Sequence, residues 1–257
     1  MLKILKLILL YFAYQMGFSA IALVIANYIS IDTIMMTSLT MVASTLAMTW
    51  HLIHFGYVNM ARDKYKTIDM AAWGVSVIFV IAATYVLNVI IEQLGVPNTM
   101  EETFIGMSRN PFGMLSIALL APILEELLFR GAIEGQLLRT VRNPWVAIVV
   151  SSAIFGVVHL NPAQIPFAFL IGMMFGWLYY RTGSLLPGIV GHVLNNTIAA
   201  INLQLYGDIP IEEQVSSTSM MWLWVVVATI AFVVAAAWLN RYLNVNKVLK
   251  EYNKNEE

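Results

Sequence analysis

The chain has 257 residues, 60% hydrophobic and 11% charged, with a net charge of −1. Soluble domains carry about 25% charged residues, so this composition describes a polytopic membrane protein with an all-α fold, and no nucleic-acid partner is expected. There is no cysteine, which excludes disulfides, thiolate metal ligands and a cysteine nucleophile.

Eight apolar segments follow in chain order: 4–29, 33–56, 70–94, 111–138, 145–160, 164–180, 185–205 and 219–240. A helical span needs about 20 residues. The first begins after Lys3 and Lys6 and runs on to Ile29. That exceeds the about 7–15 residues of a signal-peptide core, so an uncleaved span is expected. The fourth segment is long enough to be tilted or to leave the membrane. The fifth is short and stops at Asn161-Pro162, so 145–180 also fits a pair of half-buried helices. Residues 95–110 read as a loop, and 241–257 as a solvated tail.

With the N-terminus inside, twelve of the fourteen Lys and Arg fall in inner loops, while Glu101, Glu102, Asp208, Glu212 and Glu213 fall outside. This asymmetry obeys the positive-inside rule and places both termini in the cytoplasm. The short chain with small loops points to a prokaryotic plasma membrane. Three parts are expected: N-terminal spans over 1–110, a core over 111–205, and a last span with its tail over 206–257.

The most informative feature is a pair of glutamates, Glu125 and Glu126, inside the fourth apolar segment. A charged group in a membrane span costs several kcal/mol, about 3 on the insertion scale, so it is kept where it faces a polar cavity. Arg130 lies four residues after Glu126, on the same helical face. The fifth segment carries His159, four residues after Phe155; the seventh carries His192 and Asn196, also four apart. Counted from the inner boundary, helical rise puts Glu125 about 21 Å deep, His159 about 22 Å and His192 about 16 Å. One carboxylate pair, two imidazoles and one amide can therefore meet.

Their chemistry is restricted. A glutamate can act as a general base on water. Histidine can position that water, shuttle a proton or bind a metal. An asparagine amide and a protonated imidazole can donate to a developing oxyanion. Two histidines and a glutamate also match a catalytic zinc site, whose ligands would be Glu125, His159 and His192. The set points to hydrolysis of a carbonyl compound, most naturally a peptide bond. The four aspartates lie near span ends or in loops, so no aspartyl dyad is available, and neither a His-Glu-x-x-His helix nor a Gly-x-Ser-x-Gly elbow occurs.

The three patterns Glu125-Glu126-x-x-x-Arg130, Phe155-x-x-x-His159 and His192-x-x-x-Asn196, in this order and in separate spans, resemble the motifs of the CAAX protease and bacteriocin-processing family, also called Abi, which includes the Ras-converting CAAX endopeptidase. The resemblance covers roughly residues 111–205. It implies an eight-helix intramembrane protease. Glu125 would activate water together with His159, His192 and Asn196 would form the oxyanion site, and Glu126 and Arg130 would support them, with Phe155 beside His159. The family is often called metalloprotease, but a metal-free mechanism is also attributed to it; no cofactor is favoured, with zinc the alternative. The substrate would be a membrane-associated protein or peptide, such as a leader peptide, pheromone precursor or bacteriocin.

Two other functions use the same residues. A proton- or ion-coupled transporter would bury such carboxylates and histidines, but no inverted repeat is visible. A non-catalytic immunity factor or scaffold of the same fold is the other. For individual residues the plainer roles are a buried ion pair for Glu126 and Arg130, an interfacial place for His159, and interhelical hydrogen bonds for His192 and Asn196. Asn195 is a substitute for Asn196 on a different face. His51 and His54, beside Trp50 and Tyr57, read as an aromatic belt. Glu134 reads as a structural residue near the inner headgroups. The pairs Gly172–Gly176 and Gly131–Gly135 read as close packing within the chain. Pro122 is expected to loosen backbone hydrogen bonds next to the glutamates.

Overall fold

Apolar segments without strand alternation fold as helices, because inside a bilayer each backbone polar group must find a partner within its own segment. The computed structural model describes residues 2–58, 68–207, 209–215 and 217–243; the basic residues at 59–67 and most of the charged tail lie outside them. Ten helices and no strands occur among the described residues. They are α1 (Leu2–Ala26), α2 (Thr33–His54), α3 (Met70–Gln93), α4 (Glu101–Ser108), α5 (Pro111–Thr140), α6 (Pro144–Val157), α7 (Gln164–Thr182), α8 (Leu186–Tyr206), α9 (Ile211–Gln214) and α10 (Thr218–Tyr242). The protein is thus an all-α polytopic membrane protein.

Each of the eight apolar segments holds a helix, but they are not equivalent. Helices α1, α3, α5 and α10 are long and apolar enough to cross a membrane by length and composition; α6, with 14 residues, is short. Helices α2, α7 and α8 are long enough but less apolar. The expected loop at 95–110 instead contains α4. Glu101 and Glu102 occupy its first turn, where carboxylates favour the positive end of the helix dipole.

Contacts divide the chain into two units, one of Met1–Asn59, Met100–Gln136 and His192–Asp208, the other of Met60–Thr99, Leu137–Gly191 and Ile209–Glu257.

The first unit contains α1, α2, α4, most of α5 and the greater part of α8. Helix α2 packs on α1, α4 and α5. It starts at Asp32, whose side chain accepts from the Met35 N–H, and the buried Ser44 hydroxyl donates to Gln15 on α1. Asn110 caps α5 by accepting from the Phe112 and Gly113 N–H groups, with Pro111 at the first helical position, where its missing N–H costs nothing. A Cβ at Gly113 would lie 2.3 Å from the Met107 carbonyl oxygen, so only glycine lets the start of α5 run this close to α4. Met107, Ile117, Ala118 and Ala200 form the apolar core here, with Ile34 and Met41 against it.

The second unit contains α3, α6, α7, α9, α10 and the first turn of α8. Helix α3 pairs with α10, and α6 with α7. Asp69 caps α3; the Ala72 N–H that it accepts holds its carboxyl below the usual carboxylate range. Phe79 stacks on Phe232 at 5.0 Å and meets Trp177 at 5.5 Å. A Cβ at Gly156 would approach the Ile165 carbonyl to 2.9 Å, so its absence lets α6 and α7 touch. Gly172 and Gly176 are both buried, as packing within the chain requires.

Candidate active site

Helix α5 is not a uniform α-helix. It runs α over Pro111–Leu115, π over Ser116–Leu120, α over Ala121–Glu125, π over Glu126–Glu134 and α again over Gly135–Thr140. Such π segments recur at functional sites, because the wider turn re-aims side chains and frees backbone groups. Both occur here. The Ala121 N–H bonds to the Ser116 carbonyl, five residues back. The next residue, Pro122, has no N–H, so in this register the Ile117 carbonyl loses its helical partner. The Asn196 side chain takes that place: its Nδ2 donates to the Ile117 oxygen at 3.0 Å. Asn195, 5% exposed, braces it by donating from its own Nδ2 to Asn196 Oδ1 at 2.9 Å. The proline thus creates the acceptor that holds this asparagine.

The carboxylates are held by α8. His192 Nδ1 lies 2.9 Å from Glu126 Oε1, and its Nε2 lies 3.5 Å from Glu125 Oε2. A carboxylate oxygen accepts, so Nδ1 donates and the imidazole is bracketed by the two glutamates. Arg130 Nη1 reaches the same Glu126 oxygen at 3.0 Å. Glu126 Oε1 therefore accepts from His192 and is ion-paired with Arg130, while its buried Oε2 meets no hydrogen-bond donor. The two acids differ in access. The Glu125 side chain is 14% exposed and that of Glu126 1%. A group that acts on water must reach it; a group that orients another need not.

Glu134 lies one further four-residue step along α5 and is fully buried; neither of its oxygens has a hydrogen-bond partner. The wider turn rotates it inward on the same side as Glu126 and Arg130.

His159 lies in the second unit. Its Nδ1 is 2.7 Å from the Phe155 carbonyl oxygen, and the Phe155 ring stands edge-on at 4.8 Å. Since a carbonyl only accepts, Nδ1 carries the proton, and in the neutral ring Nε2 is the acceptor. The remaining histidines sit in an aromatic cluster. The Tyr14 hydroxyl bonds His51 Nδ1 at 3.0 Å, and His54 stacks on Trp50 at 4.7 Å.

Among the described residues no group of three His, Asp or Glu side chains is arranged to hold a metal ion. Within the first unit Glu125 and the Nε2 of His192 offer two donors, one fewer than a catalytic zinc takes from protein. That pair alone does not make a zinc site.

Of the residues expected from the sequence, the structure brings Glu125, Glu126, Arg130 and His192 into one network and places Asn196 on the turn before it. The Ile117 carbonyl and the bracing role of Asn195 were not foreseen. The signal for the former was Pro122, once the five-residue register is known.

Pro122→Ala tests this arrangement. It supplies an N–H that competes with Asn196 for the Ile117 carbonyl. Turnover by the purified protein is expected to fall while the thermal midpoint stays level or rises, since an interior proline costs a helix about 3 kcal/mol. Unchanged turnover would show that the Asn196 bond is dispensable.

The paired glutamates, histidine and asparagine lie on the helices of an all-α membrane protein, and part of that chain is similar to known proteins. Residues 108–198 match the family model described as type II CAAX prenyl endopeptidase Rce1-like. That segment carries all three motifs on which the resemblance rests. The chain is 28% identical over 142 residues to a putative membrane peptidase, YdiL, of Bacillus subtilis, covering 50% of this chain and 57% of the relative. It is 34% identical over 110 residues to the membrane-embedded CAAX protease MroQ of Staphylococcus aureus, covering 41% and 44%. The chain thus spans about half the length of the curated relatives it matches. No solved structure matches it.

Proposed function

We propose that the protein is an intramembrane endopeptidase that hydrolyses a peptide bond of a membrane-associated protein or peptide through a glutamate-activated water. The observation that carries this reading is the bracketing of His192 between Glu125 and Glu126. Glu125, the more accessible acid, takes a proton from water. The hydroxide so formed attacks the scissile carbonyl carbon. The oxyanion that develops needs donors, and two are available in kind. The Asn196 amide has a second N–H beyond the one given to Ile117, and a doubly protonated His192 can donate from Nε2. Glu126, anchored by Arg130, orients His192 through Nδ1. The proton held by Glu125 passes to the leaving amine as the C–N bond breaks. His159 enters through its motif alone; with Nδ1 on the Phe155 carbonyl, its Nε2 is the ring nitrogen left to accept. The reading includes a plasma-membrane location with both termini cytoplasmic, which the charge asymmetry supports.

The experiment is a peptidase assay on the purified protein in liposomes, with a quenched fluorogenic peptide library as substrate. Cleavage is expected, and it is expected to survive exhaustive treatment with a membrane-permeable chelator. No cleavage of any peptide would overturn the peptidase reading. Loss on chelation with recovery on added zinc would overturn the metal-free mechanism.

A further inference from the structure

Helix α6 stops at Val157, two residues before His159, and the way it stops decides what the imidazole can do. The Val158 N–H still bonds four residues back to Ile154, but the His159 N–H turns to Gly156 and the Leu160 N–H to Val157, each three back. The tightened turn leaves the Phe155 carbonyl without the His159 N–H that a continuing α-helix would give it. The His159 ring takes that carbonyl instead, at 2.7 Å. Leu160 then adopts φ +54°, the only described residue other than glycine with a positive φ. A branched, β-carbon-bearing side chain is strained in this left-handed region. Nothing about Leu160 itself favours it, for its side chain is 70% exposed.

The cause lies one residue on. Asn161 is fully buried. Its Nδ2 donates to Asn98 Oδ1 at 2.8 Å, and its Oδ1 accepts from the Thr99 N–H at 3.2 Å. Its carbonyl accepts from the Gln164 and Ile165 N–H groups and so opens α7. Asn161 is thus tied on three sides, to a segment more than sixty residues earlier and to the next helix. Strain at a single residue persists where its surroundings over-determine it.

We propose that Asn161 is a positioning residue for His159: by anchoring to Asn98 and Thr99 it holds Leu160 left-handed, ends α6, and leaves the Phe155 carbonyl to fix the imidazole with its proton on Nδ1 and its lone pair on Nε2. The inference rests on the reading above for its catalytic consequence, but not for its structural content. If Leu160 relaxed to the right-handed region, α6 would run on through His159, short of Pro162. The His159 N–H would then claim the Phe155 carbonyl, and the ring would lose its tether and its tautomer.

The test reads the imidazole directly. The chain has four histidines, so nitrogen NMR of histidine-labelled protein in micelles resolves each, with His159→Gln identifying the signal of interest. The wild type is expected to show His159 as the Nδ1–H tautomer. Asn161→Ala is expected to give a tautomer mixture and a kcat lowered about 10- to 100-fold with little change in KM, the loss typical of a misplaced group. Asn98→Ala removes one tether only and keeps the variant set interpretable should Asn161→Ala fold poorly; it is expected to shift the tautomer in the same direction. Leu160→Gly in the Asn161→Ala background is expected to restore the tautomer, because glycine adopts the left-handed region freely. A His159 signal that stays Nδ1–H in both Asn161→Ala and Asn98→Ala would overturn the proposal. A shifted tautomer with unchanged turnover would leave the clamp standing and remove His159 from the reaction.

Discussion

Glu125→Ala is expected to abolish peptide cleavage by the purified protein while the chain still inserts and folds. A positioned general base contributes about 10²- to 10⁴-fold, and no described neighbour can replace it. Glu126, the other acid on His192, is already ion-paired with Arg130 through the same oxygen. The fold should tolerate the change, because Glu125 contacts His192 only at 3.5 Å and keeps some exposure. The measurement is kcat/KM against the wild type, with a melting curve as control. Wild-type turnover in the variant would remove Glu125 from the mechanism. Glu126→Gln should be milder, since a glutamine oxygen still accepts from Arg130 and His192. If it were the more severe of the two, the two acids have the opposite roles.

Arg130→Ala is expected to have the largest effect on stability. Its guanidinium and the Glu126 carboxylate are each 1% exposed, and the pair is 3.0 Å apart. Removing one partner of a buried pair leaves the other charge uncompensated, at a cost of about 3–5 kcal/mol. The acid left behind also holds His192, so folding and activity should fall together. A combined Arg130→Met and Glu126→Gln variant removes both charges and should recover much of the stability, though not the turnover. Thermal unfolding in one detergent compares the three proteins. A single variant as stable as the wild type would show that this pair does not hold the site together.

Much of the site was legible because its residues contradict their surroundings. Glutamates, an arginine, histidines and an asparagine in apolar segments have few explanations, and four-residue spacing puts Glu126 with Arg130 and His192 with Asn196 on shared faces. The network of Glu126, Arg130 and His192 follows that expectation. His192 and Asn196 share one face of α8 but are held separately. Each bonds to its own part of α5, His192 to the carboxylates and Asn196 to a backbone carbonyl. Helix α4 was missed because a short polar segment between spans carries little periodic signal.

The sequence by itself determined the class of fold, an all-helical membrane protein, because 60% hydrophobic residues in long runs can satisfy their backbone in a bilayer only as helices. It also singled out the side chains proposed to carry chemistry, since burial of charge is costly. The tertiary structure decided how those side chains are held. The π registers of α5, the carbonyl of Ile117 left open by Pro122, and the turn that fixes His159 all depend on backbone hydrogen bonds. A shift from four to five residues per bond, or from a right-handed to a left-handed residue at Leu160, alters no side-chain pattern. It is set instead by partners such as Asn98 and Asn196, which are distant along the chain and adjacent only after folding.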